Sequence, residues 1–434
     1  MAGDDALRLL WARTTDTPST RPPNKDSQVN HLIDRIRIHA IGVAAKLVPA
    51  PTPFMFTGPG SSTQLVQMIA NCGARTVLVV TDAVLLELKV VDPVLVALEE
   101  AGVKAQVFSD VEPDPTIDVV MDGVAQLRDS RADAVLAVGG GSPIDAAKAM
   151  IACSAKGCSP DALDGYFKVR KAVIPFFAIP TTAGTGSEVT VVSVISDPAA
   201  KRKFAIIDNK LVPVAIALDP NLMVGLPPGV TAATGMDALT HAIESYLSTL
   251  GTPATRAMSL AAARVIVRDL PRVYEDGRDI AGRESLAVAS CQAGLAFTKA
   301  SVGYVHAISH QIGARYHLPH GQVNAVVMPY VLDFYLDAAS RPMAELARAC
   351  GLGGAGDDEC ALARAFIADI RRLNRLMGIP ATLESIAVTD IPELVRRALA
   401  EAHGTYPVPK YMSNANCHDV FGLVAGRGPL DIRG

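Results

Sequence analysis

The sequence predicts an α/β domain built on a parallel sheet, followed by an all-helical domain. Two observations carry that prediction. From Thr76 to Leu218 short apolar runs of strand formers alternate with helical stretches, and after Leu226-Pro-Pro-Gly229 the chain becomes alanine-rich helical segments punctuated by Gly and Pro. Strand and helix in alternation produce a parallel sheet covered by helices on both faces, and strands that are apolar throughout suit burial on both sides. The expected divisions are 1–30, a flexible extension; 31–226, the α/β domain; and 227–434, the helical domain.

The opening stretch carries Asp4 and Asp5 and then a Thr/Pro/Arg/Ser-rich run from Thr14 to Ser27. It lacks the basic start and apolar core of a secretory signal, and its early acids argue against a transit peptide. A short helix over Ala6–Arg13 and a mobile linker are expected, with folding beginning near Leu32. Thr76-Val-Leu-Val-Val-Thr-Asp82 reads as a strand ending in a polar turn. A helix over Leu85–Leu98, broken at Pro93, follows, then a strand over Val103–Phe108, a helix over Asp118–Arg128 and the strand Ala134–Val138. A helix then starts near Pro143. Further strands are expected at Val173–Ile179 and Val212–Leu218. The second half predicts helices over Thr231–Leu250, Pro253–Leu270, Arg283–Phe297, Val302–Ala314, Met328–Leu336, Arg341–Ala349, Glu359–Met377 and Ile391–Ala402.

Composition excludes several functions. The 434 residues are 50% apolar and 19% charged, with a formal net charge of −4, so no basic footprint for nucleic acid exists. Mean hydropathy is +0.27, yet charges, Gly or Pro interrupt every apolar run before the roughly 18 residues of a membrane span. The seven cysteines, Cys72, Cys153, Cys158, Cys291, Cys350, Cys360 and Cys417, show no CxxC spacing. A reducing cytoplasmic setting is expected rather than a disulfide framework or a cysteine-rich zinc site.

Chemistry concentrates in four places. Gly139-Gly-Gly-Ser-Pro-Ile-Asp145 follows a buried strand and opens a helix, where small residues let backbone N–H groups approach a pyrophosphate. It matches neither of the usual phosphate-loop patterns. Pro180-Thr-Thr-Ala-Gly-Thr-Gly-Ser-Glu188 is a second loop rich in hydroxyls and glycine; two such loops at strand ends would converge on one crevice. Asp82, at the end of the first strong strand, is either a ribose acceptor favouring NAD over NADP or the N-cap of the next helix. Lys210 is placed facing the crevice, whereas Lys148 reads as a solvated helix residue. In the helical half, Asp237 and His241 form an i,i+4 pair in an apolar segment, and His306 and His310 repeat that spacing. His320 is expected in a turn, Leu318-Pro-His-Gly321. Four of the nine histidines, His306, His310, His317 and His320, lie within fifteen residues. With Asp237 and His241 they suggest a nitrogen-rich cation site with one carboxylate, suited to Zn²⁺ or Fe²⁺ rather than Mg²⁺. His317, outside both spacing sets, reads as a surface loop residue.

Taken together, the glycine loop, the hydroxyl loop, Gly235-Met-Asp-Ala-Leu-Thr-His241 and His306-(x3)-His310-(x9)-His320-Gly321 resemble the iron-containing (group III) alcohol dehydrogenase family, from about Phe54 to about Tyr335. The resemblance implies a Rossmann-like, dehydroquinate synthase-like α/β domain before the helical one. It implies a divalent metal held by Asp237, His241, His306 and His320, with His310 as a proton-transfer histidine outside the ligand set. The implied nucleotide site comprises Gly139, Gly140, Gly141, Ser142, Asp145, Thr181, Thr182 and Ser187, with Asp82 at the position associated with NAD. The chain departs from the family in its extension before the match and in the tail Ser413–Gly434, which lacks the Asn-Pro-Arg ending common in relatives.

A bound cation lowers the pKa of an alcohol and polarises a carbonyl, so hydride can pass between a metal-bound alkoxide and nicotinamide. The expected activity is a metal-dependent, NAD-linked alcohol dehydrogenase or aldehyde or ketone reductase, acting on a small-molecule alcohol or carbonyl substrate. The enzyme is expected to be cytoplasmic and a homodimer or larger homo-oligomer, with no nucleic-acid or membrane partner. Two alternatives stand beside it. A metal- and NAD-dependent lyase or cyclase of the dehydroquinate synthase type would need a basic cleft, for which Lys299 and Arg315 are the nearby candidates. A non-enzymatic nucleotide-binding scaffold would have no need of a cation site.

Overall fold

The computed structural model describes Ile38 and residues 51–427, apart from Arg170, Lys171, Lys201 and Ala355. The extension 1–30, its helix and the chain start near Leu32 lie outside the described residues. In chain order the α/β part runs β1 (Phe54–Thr57), α1 (Ser61–Asn71), β2 (Thr76–Val80), α2 (Ala83–Glu87), α3 (Asp92–Glu100), β3 (Lys104–Phe108), α4 (Ile117–Asp129), β4 (Ala134–Gly139), α5 (Gly141–Lys156), β5 (Gly165–Tyr166), β6 (Phe176–Pro180), β7 (Val192–Asp197), β8 (Arg202–Ile207) and β9 (Ala215–Leu218). The helical part follows with α6 (Pro228–Leu247), α7 (Pro253–Glu275), α8 (Ile280–Ala300), α9 (Tyr304–Tyr316), α10 (His320–Ala349), α11 (Glu359–Leu376), α12 (Ile391–Ala402) and α13 (Asn414–Val424).

The main sheet has six parallel strands in the order β1-β9-β6-β4-β2-β3. Strands β4 and β6 are buried at every residue, as their apolar sequences require. The chain leaves β2 towards β3 on one side and returns to β4 on the other. That reversal opens a crevice at the carboxyl ends of β2 and β4, where ligands of such sheets bind. Asp82, Gly139–Ser142 and Thr181–Ser187 follow β2, β4 and β6, three neighbouring strands.

Several elements differ from expectation for identifiable reasons. The stretch read as one broken helix is two, α2 and α3, because Pro93 sits in the first turn of α3 and Lys89 between them takes a left-handed φ of 58°. Strand β1, helix α1 and the antiparallel hairpin β7–β8 were not expected. Helix α1 has no side-chain cap of its own. Instead Asp219, after β9, accepts from Gly60 N at 3.2 Å, Ser62 N at 3.1 Å and Ser62 Oγ at 2.6 Å. The two helices expected at Met328–Leu336 and Arg341–Ala349 are both present within α10, parted at Ala339, whose φ of −134° and ψ of 21° are not helical; the difference is that the first begins earlier, at His320.

His320 is not in a turn: it is the first residue of α10, after Pro319 at φ −57°. The Pro-His-Gly signal misleads because Gly321 serves close packing, not a bend. A Cβ at Gly321 would lie 2.2 Å from the Ala233 carbonyl oxygen of α6.

Among the described residues two compact units can be separated. One is drawn from 51–226 and Asp276–Gly294, the other from Pro227–Glu275 and 295–427. Thus most of α8 groups with the sheet although its sequence is helical. All seven cysteines are free, and among the described residues no helix is long and apolar enough to cross a membrane.

The contact that brings α8 onto the hydroxyl loop depends on glycine twice. Gly186 has a φ of 62°, and a Cβ there would stand 2.8 Å from Gly294 Cα. Gly60 also has a positive φ, 79°, but nothing lies within 4 Å of its missing Cβ. Gly60→Ala should therefore lose only the conformational cost of about 1–2 kcal/mol. Gly186→Ala should lose clearly more in urea unfolding because backbone must also move. Equal losses would show that the close approach carries no energy.

Candidate metal centre and glycine loops

Every residue of α6 from Gly235 to Leu247 is buried. Asp237, His241 and Glu244 are spaced i, i+4 and i+7 along it, so they share one face. Gly235 allows this burial, since a Cβ there would come within 2.4 Å of Leu270 Cδ1 on α7. Helix α9 supplies His306 and α10 supplies His320. Ligand atoms of Asp237, His241 and His306 all lie within 4.8 Å of one another. His306 Nε2 is 3.8 Å and His320 Nε2 3.6 Å from Asp237 Oδ1. His320 falls outside the three-residue cluster and its side chain is 40% exposed, which puts it at the solvent side. The structure therefore brings three of the four expected ligands tightly together and the fourth against the carboxylate.

The donor set fits a divalent cation. Burial, and then His241, His320 and His310, hold the His306 imidazole well below its ordinary pKa. It is therefore neutral, the form that binds metal. Asn324 Nδ2 lies 2.7 Å from Asp237 Oδ1, 3.3 Å from His306 Nε2 and 3.0 Å from His320 Nε2. Three lone-pair atoms thus converge on one amide nitrogen that has only two hydrogens to give. That surplus of acceptors in a buried place is what a cation relieves.

Around this cluster, His241 stacks between Phe297, 4.2 Å away, and His306, 4.6 Å away. His310 is 42% exposed at its side chain and stacks on His320 at 5.2 Å. Its Nδ1 lies 2.6 Å from Glu401 Oε1, a carboxylate that also accepts from Gln311 Nε2 at 2.6 Å and Tyr406 at 2.7 Å. His317 is exposed and caps the end of α9 with a left-handed φ of 54°. Tyr304 is fully buried, its hydroxyl against His403 Nε2 at 2.8 Å and Met412 N at 2.9 Å.

Two residues of this centre escaped the sequence reading. Glu244 was legible as the third polar residue on one face of an apolar helix. Asn324 stands at i+4 from His320, a relation hidden once His320 was read as a turn.

In the sheet unit the loops converge as expected. Gly139 is required by the turn into α5, since its Cβ would meet Pro143 Cγ at 2.5 Å. A Cβ on Gly140 would lie 3.5 Å from Thr182 Oγ1, and one on Gly141 3.0 Å from Thr185 Cγ2. The two loops are therefore in register, with Thr181 N donating to Gly139 O at 3.0 Å. Helix α5 begins at Gly141 with no side-chain cap, and Ser142 lies in its first turn. Ser187 is buried, and its N–H donates to Thr185 Oγ1 at 3.2 Å.

Three polar residues take positions different from a simple ligand contact. Asp82 caps α2, accepting from Leu85 N at 2.9 Å. Lys210 Nζ stands 3.4 Å from Asp208 Oδ1. Asp145 accepts from Val194 N at 3.1 Å, and burial lifts its carboxyl to about 6.

Lys148 is not solvated but fully buried. Its ammonium donates to Ser187 O at 2.6 Å, Thr190 O at 2.8 Å, Thr190 Oγ1 at 2.9 Å and Val192 O at 2.9 Å. Burial lowers its pKa to about 8, against the pull of Asp145 and Glu188. It ties the end of the hydroxyl loop to the helix that the glycine loop opens.

Comparison with known proteins agrees with these features. The family model described as iron-containing alcohol dehydrogenase matches residues 51–220, and that of the family's C-terminal part matches residues 231–422. The NAD-dependent methanol dehydrogenase of Bacillus methanolicus is 39% identical over 351 residues, 80% of this chain and 92% of that one. The 1,3-propanediol dehydrogenase of Klebsiella pneumoniae is 38% identical over 353 residues, covering 80% and 91%. A crystal structure of 1,3-propanediol oxidoreductase superposes with a TM-score of 0.84 at 36% identity, covering 86% of this chain and 98% of that one.

Replacing the buried ammonium tests the loop architecture. Lys148→Met removes the one ammonium that joins the Ser187, Thr190 and Val192 carbonyl oxygens and offsets the charge of Asp145 and Glu188, so unfolding free energy should fall by about 3–5 kcal/mol. A urea melt unchanged from wild type would show that the loop is held by other means.

Proposed function

The chain belongs to the iron-containing alcohol dehydrogenase family, and from that premise we propose that it is a metal-dependent, NAD-linked alcohol dehydrogenase that also reduces the matching aldehyde or ketone. The observation that carries the proposal is the buried convergence of Asp237, His241 and His306 donor atoms within 4.8 Å of one another. Asp237, His241, His306 and His320 would hold one divalent cation, Fe²⁺ or Zn²⁺. The chemistry supplied by a loaded site is Lewis acidity toward an alcohol or carbonyl oxygen, with nicotinamide as the hydride partner.

The chain's own residues do the rest. The glycine loop Gly139–Ser142 and the hydroxyl loop through Thr181, Thr182 and Ser187 would bind the pyrophosphate and ribose of NAD. The Asp82 carboxylate at the end of β2 would repel a 2′-phosphate and so favour NAD over NADP. Asp145 and Lys210, also expected at the nucleotide, would contribute by shaping the loops, given their bonds to Val194 and proximity to Asp208. His310, held at Nδ1 by Glu401, would carry the hydroxyl proton outward at Nε2, and its 42% exposure suits that role. Seven free cysteines suit a cytoplasmic enzyme, and we propose a homo-oligomer of at least two chains.

The lyase or cyclase alternative draws no support. Arg315, one of its two candidate cations, is committed to Asp390 at 2.9 Å. The scaffold alternative does not account for a buried donor cluster.

Metal-stripped protein reloaded with Fe²⁺ or Zn²⁺ should reduce NAD⁺ in the presence of small primary or secondary alcohols. Absence of turnover with either metal across such a panel would overturn the proposal. His306→Ala should lose bound metal in elemental analysis. His310→Ala should retain it while turnover falls about 10²-fold or more. Equal metal retention by the two variants would reverse the roles assigned to them.

A further inference from the structure

We infer that Glu244 is a positioning residue that sets the tautomer and aim of His306, and that Gly303 is glycine to leave room for it. The inference rests on the proposed role of His306 as a metal ligand. It concerns a residue whose own atoms would touch neither metal nor substrate.

Glu244 is 5% exposed, on the face of α6 that carries Asp237 and His241. Its carboxylate faces the start of α9. Oε1 accepts from Val305 N at 2.7 Å, and Oε2 accepts from Gly303 N at 2.8 Å. Oε2 also lies 2.6 Å from His306 Nδ1. The N-cap of α9 is Gly303, which has no side chain to satisfy the first-turn N–H groups. Glu244 performs that duty from another helix. Any side chain at Gly303 would intrude, since its Cβ would stand 2.8 Å from Glu244 Oε1.

The consequence for His306 follows from donor and acceptor inventory. In its ionised form Glu244, already accepting from two backbone N–H groups, has only lone pairs to offer Nδ1, so Nδ1 carries the hydrogen. The neutral ring then keeps its lone pair on Nε2, the atom 3.8 Å from Asp237 Oδ1. One side chain therefore fixes where α9 begins and which imidazole nitrogen is available for coordination. Partners of this kind orient ligand histidines, and losing one typically weakens metal binding about 10–100-fold.

Glutamine cannot substitute, although its shape is the same. If its amide nitrogen takes the Oε1 position, it confronts the Val305 N–H; if it takes the Oε2 position, it confronts the Gly303 N–H. In the second case it also offers a hydrogen to His306 Nδ1, which favours the tautomer with Nε2 protonated.

Zn²⁺ affinity of metal-free full-length protein, measured by chelator competition, together with ¹⁵N NMR of the histidine rings, tests the inference. Glu244→Gln should bind Zn²⁺ about 10–100-fold more weakly than wild type, and the Nδ1–H pattern of His306 should be joined by an Nε2–H pattern. A purely structural cap would not move that tautomer signal. Gly303→Ala, which keeps Glu244 but displaces its carboxylate, should show the same direction of change, and it decides the matter alone if Glu244→Gln does not fold. Wild-type affinity and tautomer in the folded variants would overturn the inference. Failure of the wild-type protein to bind Zn²⁺ would instead overturn the metal reading on which it rests.

Discussion

Burial of polar groups on α6 is the constraint on which the rest of the helical unit depends. Asp237, His241 and Glu244 lie on a stretch with no exposed residue between Gly235 and Leu247. Water cannot satisfy them there, and an unpaired buried polar group costs roughly 1–3 kcal/mol. Their partners must therefore come from other helices. Helix α9 meets Glu244 with two backbone N–H groups and the His306 ring. Helix α10 meets Asp237 with Asn324. The close approach of α10 requires Gly321, and that of α7 requires Gly235. What looks like a packing arrangement is the satisfaction of a few buried acceptors.

The same device appears in the sheet unit. Helix α1 starts at a glycine N-cap and is capped from afar by Asp219, just as α9 starts at Gly303 and is capped by Glu244. Lys148 inverts the pattern, with one buried ammonium serving oxygens of the segment Ser187–Val192. Each contact links residues distant in sequence and fixes a loop or helix start that carries candidate site residues. Rigid placement of this kind is what a cation or a pyrophosphate demands, because donors held a fraction of an ångström out of place lose much of their value.

How much of this was legible in the sequence follows from the same logic. The buried strands β2, β4 and β6 were readable because burial on both faces writes an unbroken apolar run. The site histidines were readable because helical spacing is local, as with His306 and His310. The start of α1 was not, because its cap lies at Asp219, far along the chain. Lys148 and Gly321 were misread for a related reason: what explains them is a partner on another element, and a lysine on a helix or a Pro-His-Gly step has a more ordinary local reading. The hairpin β7–β8 was hidden because one of its strands alternates buried and open positions beside a loop whose polar chemistry dominates the sequence. Glu244 could have been found, since it continues the spacing of Asp237 and His241 by one turn.

The proposed cation site is formed by the Asp237, His241 and His306 side chains with His320. Anomalous X-ray diffraction from crystals of the Fe²⁺- or Zn²⁺-loaded protein, recorded at the metal's absorption edge, measures this most directly. A single strong peak about 2.0–2.2 Å from an Asp237 oxygen and the histidine nitrogens is the predicted result. Metal bound elsewhere, with these four side chains left bonded only to one another and to Asn324, would contradict the account.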